Sequence, residues 1–330
     1  MASDRSSWRA IASALAACAC LQVSSAAAQG FPIAGKPIRI VVPFPPGGTS
    51  DIHARHVASK LGPALGASVI VENKPGASTI LGAMAVVKAE PDGHTLLYTL
   101  TLTVAANPYL FSKLPYDPVR DFSPITYACN GTTVLAVSTN LAVNNVRELI
   151  EYARKNPGKL NFGSWAAGGT GQLNGELLKD LARIDIVHVP YKGSADLMQA
   201  LASGDLQMAF DGLITARTLE KAGKVKIIGI ADDKRALAAP EVPTMAEAGV
   251  PGAYASGGYH FFGPANLPRA IVARLNAELV KVLRMQDIDE MYTSTGMEIV
   301  ASTPEEQVGI LRTQSERQGS IIRKLGIRLD

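Results

Sequence analysis

The 330-residue sequence predicts an α/β protein of two lobes, each a doubly wound sheet, joined by two crossings of the chain. Three observations predict it. Short, β-branched apolar runs alternate with stretches of helical period along most of the chain. Strand-to-helix loops rich in glycine recur at residues 43–48, 73–79 and 164–171. The length, with 47% hydrophobic residues, suffices for two cores.

The first strand, 38–42, is apolar apart from Arg39, as suits a parallel strand covered on both faces. Residues 43–48 stop it: proline has no N–H for a ladder, and Gly47 and Gly48 permit positive φ and a close backbone approach. Thr49 or Ser50 is expected to cap the next helix, with Asp51 in its first turn and Ala54, Val57, Ala58 and Leu61 on its buried face. A strand, a glycine turn and a free helix N-terminus present unpaired N–H groups to a carboxylate or phosphate.

Residues 68–72 form a second strand, 73–79 a second loop containing Gly76, and 80–89 a helix of small residues. A turn at 91–93 leads to a strand at 94–102, followed by an irregular stretch from Asn107 to about Pro118. In the second half, strands are expected at 133–137, 160–163, 186–189, 206–210 and 226–231. Between them lie a helix at 146–155, a helix with Leu173, Leu177, Leu178 and Leu181 on one face, and a helix capped by Ser194 that ends at Gly204. A strand at 259–263 and helices at 270–283 and after Pro304 contain too little sheet to fold alone, so they are assigned back to the first lobe. The expected division is 31–130 and 256–330 for lobe 1 and 131–255 for lobe 2, with crossings near Cys129 and Tyr259.

A net charge of +3, from 32 basic and 29 acidic residues, is too small for a nucleic-acid surface. Residues 1–28 read as an export signal: Arg5 and Arg9, an apolar run over 10–23, then Ala26-Ala27-Ala28, with cleavage before Gln29 and a periplasmic destination. Leu15-Ala16-Ala17-Cys18 offers the alternative of a lipidated Cys18. No later run reaches the roughly 20 apolar residues of a spanning helix. Cleavage leaves Cys129 as the one thiol, hence no intrachain disulfide and no cysteine metal site.

IRIVVPFPPGGTSD, VENKPGAS, PDGHTLLY, KLPYDPVRDFSPI, NPGKLNFGS, GELLKD, DIVHVPYKGSAD, EVPTMAEAG and IVARLNAEL occur in that order. With them the chain resembles, from about residue 35 to 327, the solute receptors of tripartite tricarboxylate transporters, the Bug family. The resemblance implies a periplasmic binding protein, not an enzyme, that closes on a small organic carboxylate and delivers it to membrane permease subunits. It implies a monomer with no cofactor. It also implies a ligand held largely by backbone amides and waters from loops of both lobes.

Carried over by position, lobe 1 contributes Pro46, Gly47, Gly48, Thr49 and Ser50, with Gly76, Ala77, Ser78 and Thr79 nearby. Lobe 2 contributes Ser164, Trp165, Ala166, Gly168, Gly169, Thr170, Tyr191, Lys192 and Gly193, and Asp211 as a further candidate. Many relatives carry a serine-rich run ending in histidine where this chain has Trp165, Ala166, Ala167 and then Gln172. Trp165, with Phe44 and Tyr191 in neighbouring loops, would make an aromatic wall favouring an aromatic or medium-chain dicarboxylate over a small hydroxylated acid such as citrate. The alternative places Trp165 inside the lobe. Receptors for citrate-like or amino-acid carboxylates, and a sensor partner, are the other readings.

Other chemistry is weaker in the sequence. Ser50 lies in a strand-to-helix turn like a hydrolase nucleophile, but Ile52 stands where the elbow motif needs glycine. GFPIAGKP imitates a phosphate loop but has Pro37 in place of Ser/Thr. His53 and His56 are three apart without a carboxylate triad, so a solvated helix face is expected and no metal. His188 in an apolar strand reads as a hydrogen-bonded core residue. Asp211 at a strand exit serves either a ligand hydroxyl or ammonium or a helix cap.

Overall fold

The computed structural model describes residues 30–165 and 167–330; the leader calls and Ala166 lie outside the described residues. The chain runs β1 (Ile38–Val42), α1 (Thr49–Leu65), β2 (Val69–Asn73), α2 (Ile80–Val87), β3 (Thr95–Leu100), a π turn (Leu102–Ala106), α3 (Asn107–Leu110) and β4 (Phe122–Gly131). It continues through β5 (Thr133–Ser138), α4 (Val146–Lys155), β6 (Leu160–Trp165), α5 (Thr170–Ala182), β7 (Ile186–Tyr191), α6 (Ser194–Ser203), β8 (Met208–Gly212), α7 (Leu213–Lys221) and β9 (Val225–Ile230). It closes with β10 (Gly257–Pro264), α8 (Arg269–Leu283), α9 (Gln286–Ser294), β11 (Met297–Ile299) and α10 (Pro304–Leu325).

Two sheets result, ordered β11-β4-β10-β3-β1-β2 and β7-β6-β8-β5-β9. Each holds three adjacent parallel strands, β2-β1-β3 in one and β7-β6-β8 in the other, extended by antiparallel strands. The sheets are therefore mixed rather than wholly parallel. Helices cover both faces. Ile38, Ile40 and Val42 pack under Ala54, Val57 and Leu61 of α1 and Leu275 and Leu279 of α8, while Val41 and Leu97 face Ala83 and Val86 of α2. A continuous apolar strand is the sequence consequence of this double cover.

Only Thr132 separates β4 of the first sheet from β5 of the second, and the chain returns into β10 at Gly257, the register partner of Gly131. The two passages lie side by side. A Cβ on Gly258 would fall 1.8 Å from the Cys129 carbonyl oxygen, so glycine is required there for the strands to approach. Behind the passages, Leu173 and Leu177 of α5 pack with Leu102, Ala106 and Leu110 and with Ile321 and Ile322 of α10. Asn174 accepts from the Ala255 amide and donates to the Ala255 carbonyl. Leu181, expected on the same face, is exposed.

β4, α7, α9 and β11 were not anticipated from sequence. β4 carries Pro124, which argues against a strand, and the structure accommodates it where the register with β10 slips, between Phe261 and Phe262.

Candidate functional site

A parallel strand delivers its following loop to one end of the sheet, so loops after β1, β2 and β3 gather at one end of lobe 1 and those after β6, β7 and β8 at one end of lobe 2. The helices entered there are α1, α2, α5, α6 and α7. None has a side-chain N-cap, and four start on glycine: Gly48, Gly169, Gly193 and Gly212. α4 and α10, entered from the opposite ends, start on Asn145 and Thr303, whose side chains accept from the third helical residue. α8, entered likewise, starts on Pro268. The expectation that Thr49 or Ser50, and later Ser194, would cap is thus corrected. Glycine at these positions leaves the first-turn N–H groups without a competing side-chain oxygen.

In lobe 1, Pro46, Gly47, Gly48 and Thr49 are exposed and Phe44 is half-buried. Positive φ belongs to Gly47 (+80°), whereas Gly48 is extended (φ −81°). The Gly47 amide donates to Asp51 Oδ2 at 2.9 Å, and Asp51 also pairs with Arg55. The hydrogen bond from Arg55 is the main cause that holds the Asp51 carboxyl down to about 2. Arg55 reaches Asn73 Oδ1 at 3.1 Å, and Asn73 Nδ2 donates to the Phe44 carbonyl at 3.1 Å, so the first and second loops are tied together.

The second loop is strained. Ala77, Ser78 and Thr79 all have positive φ (47°, 48° and 77°) after Gly76, at a cost of about 1–2 kcal/mol each. Buried side chains hold them: Asn107 Nδ2 donates to the Ser78 carbonyl at 2.8 Å, and Thr103 Oγ1 donates to Thr79 Oγ1 at 2.8 Å. Backbone strain enforced by surrounding structure is concentrated where a loop must present its groups in one way.

Ser50 is buried, its hydroxyl 2.8 Å from Tyr259 Oη. Its partner is a phenol whose pKa burial raises, not a base. His53 is 0% exposed, which corrects the expected solvated face: its ring stacks on Tyr292 at 4.1 Å and Nε2 lies 2.7 Å from Thr295 Oγ1. His56 is exposed. The signal for a buried His53 was its i, i+4 spacing with Val57 and Leu61, outweighed by its polarity.

In lobe 2, Trp165 ends β6 as the register neighbour of Tyr191, which ends β7. Asp211 of β8 accepts from Trp165 Nε1 at 2.8 Å, from Thr215 Oγ1 at 3.1 Å and from Ser194 Oγ. Ser164 is buried with its hydroxyl on His188 Nε2 at 2.8 Å, so His188 is half-buried and hydrogen-bonded. Gly168 and Gly169 are buried; a Cβ on Gly168 would lie 2.2 Å from Leu110 of lobe 1. Thr170 reaches toward Gly257 at the passage between lobes. Lys192 is exposed, and Gly193 has open space around it. Among the described residues no cluster of His, Cys, Asp and Glu has metal-binding geometry.

Two α/β lobes joined by paired passages, with glycine-started helices at the parallel strand ends of both, define a two-lobed solute-binding protein. Residues 53–327 match the model of the tripartite tricarboxylate transporter family receptor, and the chain belongs to that family. Its relatives include BugT of Bordetella pertussis, 29% identical over 295 residues, covering 89% of this chain and 90% of that protein. Among solved structures, an R. palustris protein with adipate is 31% identical with TM-score 0.81, covering 90% of this chain and all of that one. MatC from Rhodopseudomonas palustris, with bound malate, is 30% identical with TM-score 0.77, covering 88% of this chain and all of that one. The protein is a solute receptor of this transport family and not an enzyme.

Proposed function

We propose that this receptor works in the periplasm, closes its two lobes on an organic carboxylate and hands it, as a monomer, to the membrane permease of a tripartite transporter. The observation that carries the reading is the set of uncapped, glycine-started helices at the parallel strand ends of both lobes. Helix N-termini bind carboxylates through free N–H groups and the favourable end of the macrodipole. Phe44, Pro46 to Ser50 and Gly76 to Thr79 form the lobe-1 half, and Ser164, Trp165, Gly168 to Thr170 and Tyr191 to Gly193 the lobe-2 half. The hydroxyls of Ser50, Thr79 and Ser164 are already engaged within the protein, so these positions serve the ligand through the backbone.

The ligand class is an aromatic or medium-chain dicarboxylate. The structural relative solved with adipate supports it, and malate in MatC supports the wider class of dicarboxylates. Thr132 and the chain before Gly257 act as the hinge. Export proceeds with cleavage before Gln29.

The test is calorimetric titration with adipate, terephthalate, malate, citrate and glutamate, paired with small-angle scattering. Adipate or terephthalate is expected to bind tightest, with a smaller radius of gyration at saturation. Preference for citrate, or an unchanged radius, contradicts the reading. Intact mass of the periplasmic protein decides between Gln29 and a lipidated Cys18.

A further inference from the structure

Trp165, Asp211, Ser194 and Thr215 come from three successive strand-to-helix units, β6–α5, β7–α6 and β8–α7, and meet on one carboxylate. Asp211 is only 4% exposed. One oxygen accepts the indole N–H at 2.8 Å, and the other accepts the hydroxyls of Ser194 and Thr215. A buried carboxylate with three donors has exchanged its water for fixed partners, and such charge-assisted bonds are about twice as strong as neutral ones.

The indole is thereby fixed in orientation. A tryptophan anchored only by apolar contacts can swing about χ1 and χ2, whereas one whose N–H must reach a buried charge has a single favourable pose. Trp165 also packs, half-buried, against the apolar cluster that holds Leu197, as do Val189 and Tyr191, the register neighbour of Trp165 at the end of β7. The remaining exposed part of the ring stays at the ligand end of lobe 2.

We propose that Asp211 is a positioning residue that sets the specificity of this receptor: it locks Trp165 as a rigid aromatic wall and, buried and committed to three protein donors, does not itself receive a ligand ammonium or hydroxyl. This rests on the receptor reading above and deepens it. The ligand that fits carries a carboxylate for the helix N-termini and an apolar or aromatic body for the indole. A hydroxyl on that body would lie against the ring and lose its hydration without gaining Asp211 as partner. Asp211 acts on the ligand through Trp165, not by contact.

The test uses the full chain with Trp8→Phe, which leaves Trp165 as the one tryptophan, and compares it with the same chain carrying Asp211→Asn or Trp165→Phe. Without ligand, Asp211→Asn is expected to red-shift Trp165 emission and raise its quenching by acrylamide, with far-ultraviolet circular dichroism unchanged. With ligand, the ratio of terephthalate to malate affinity is expected to fall by about fivefold to tenfold, the size of a lost stacking contribution. Unchanged emission and quenching overturn the positioning role, whatever binds. An altered emission with an unchanged affinity ratio overturns the specificity claim alone. A parent chain that binds no carboxylate of the panel overturns the receptor reading and the specificity claim with it, while the quenching result still decides whether Asp211 fixes the ring.

Discussion

Ser50 Oγ and Tyr259 Oη share a hydrogen bond of 2.8 Å across 209 residues of sequence, joining the helix of the first glycine loop to the strand that returns from lobe 2. Tyr259 stacks on Tyr98 at 4.9 Å, and Tyr98 Oη meets Tyr292 Oη at 2.9 Å, so the loop rests on a buried aromatic floor. Tyr259→Phe keeps the ring and removes the partner of a buried hydroxyl. The expected loss is about 1–3 kcal/mol, the cost of an unsatisfied buried group. Urea unfolding measures it, and a loss below a few tenths would mean that Ser50 finds another partner.

Stability is expected to fall on mild acidification. Burial drives the imidazoles of His53 and His260 down to about 3, so the folded chain keeps them neutral while the unfolded chain protonates below 6.5. The unfolded state then binds more protons, and stability declines as pH falls from 6.5 toward 3, by up to about 1.4 kcal/mol per unit for each ring. Asp232, pushed up to about 6 by burial, opposes this between about 6 and 3.8, and Asp51 adds a further loss between 3.8 and about 2. Two rings outweigh one acid. The slope of unfolding free energy against pH should flatten in His53→Gln; an unaltered slope would show that His53 is accessible to protons in the folded state.

Cys129 is expected to be inert. It is free and fully buried, and burial pushes its thiol pKa up, away from the reactive thiolate. Reaction with a thiol-directed chromogenic disulfide should proceed only as fast as unfolding. Rapid labelling of native protein would mean that the strands between the lobes open readily.

Much of the architecture was legible because local chemistry and fold agree. The 38–42 strand, the Gly47-Gly48 turn and the α1 face of Ala54, Val57 and Leu61 each state their place in one pattern. What escaped depends on partners far away in sequence. β4 is a strand despite Pro124 because β10 supplies a slipped register. His53 is buried because Tyr292 and Thr295 are brought to it from 239 to 242 residues downstream. Asp211 left a choice between ligand and cap in the sequence, because its partners Trp165 and Ser194 lie 46 and 17 residues away and no local pattern places them beside it. Gly47 and Gly48 both permit positive φ, and the dipeptide does not reveal which glycine takes the turn; Gly47 does.

That difference gives the most direct test of the account, whose central claim is that backbone amides at glycine-started helices, and not basic side chains, hold the anion. Gly48 and Gly193 have unstrained φ, and a Cβ would meet nothing closer than 3.7 Å at the first and nothing within 4 Å at the second. Gly48→Ala and Gly193→Ala are therefore expected to fold normally and to place a methyl group only where the ligand sits. Calorimetry with adipate should show each alanine weakening binding at least about tenfold, the scale of one misplaced contact of roughly 1.4 kcal/mol, with Lys192→Ala within about threefold of the parent. The opposite ranking, with Lys192→Ala the more damaging change, would contradict the backbone cradle.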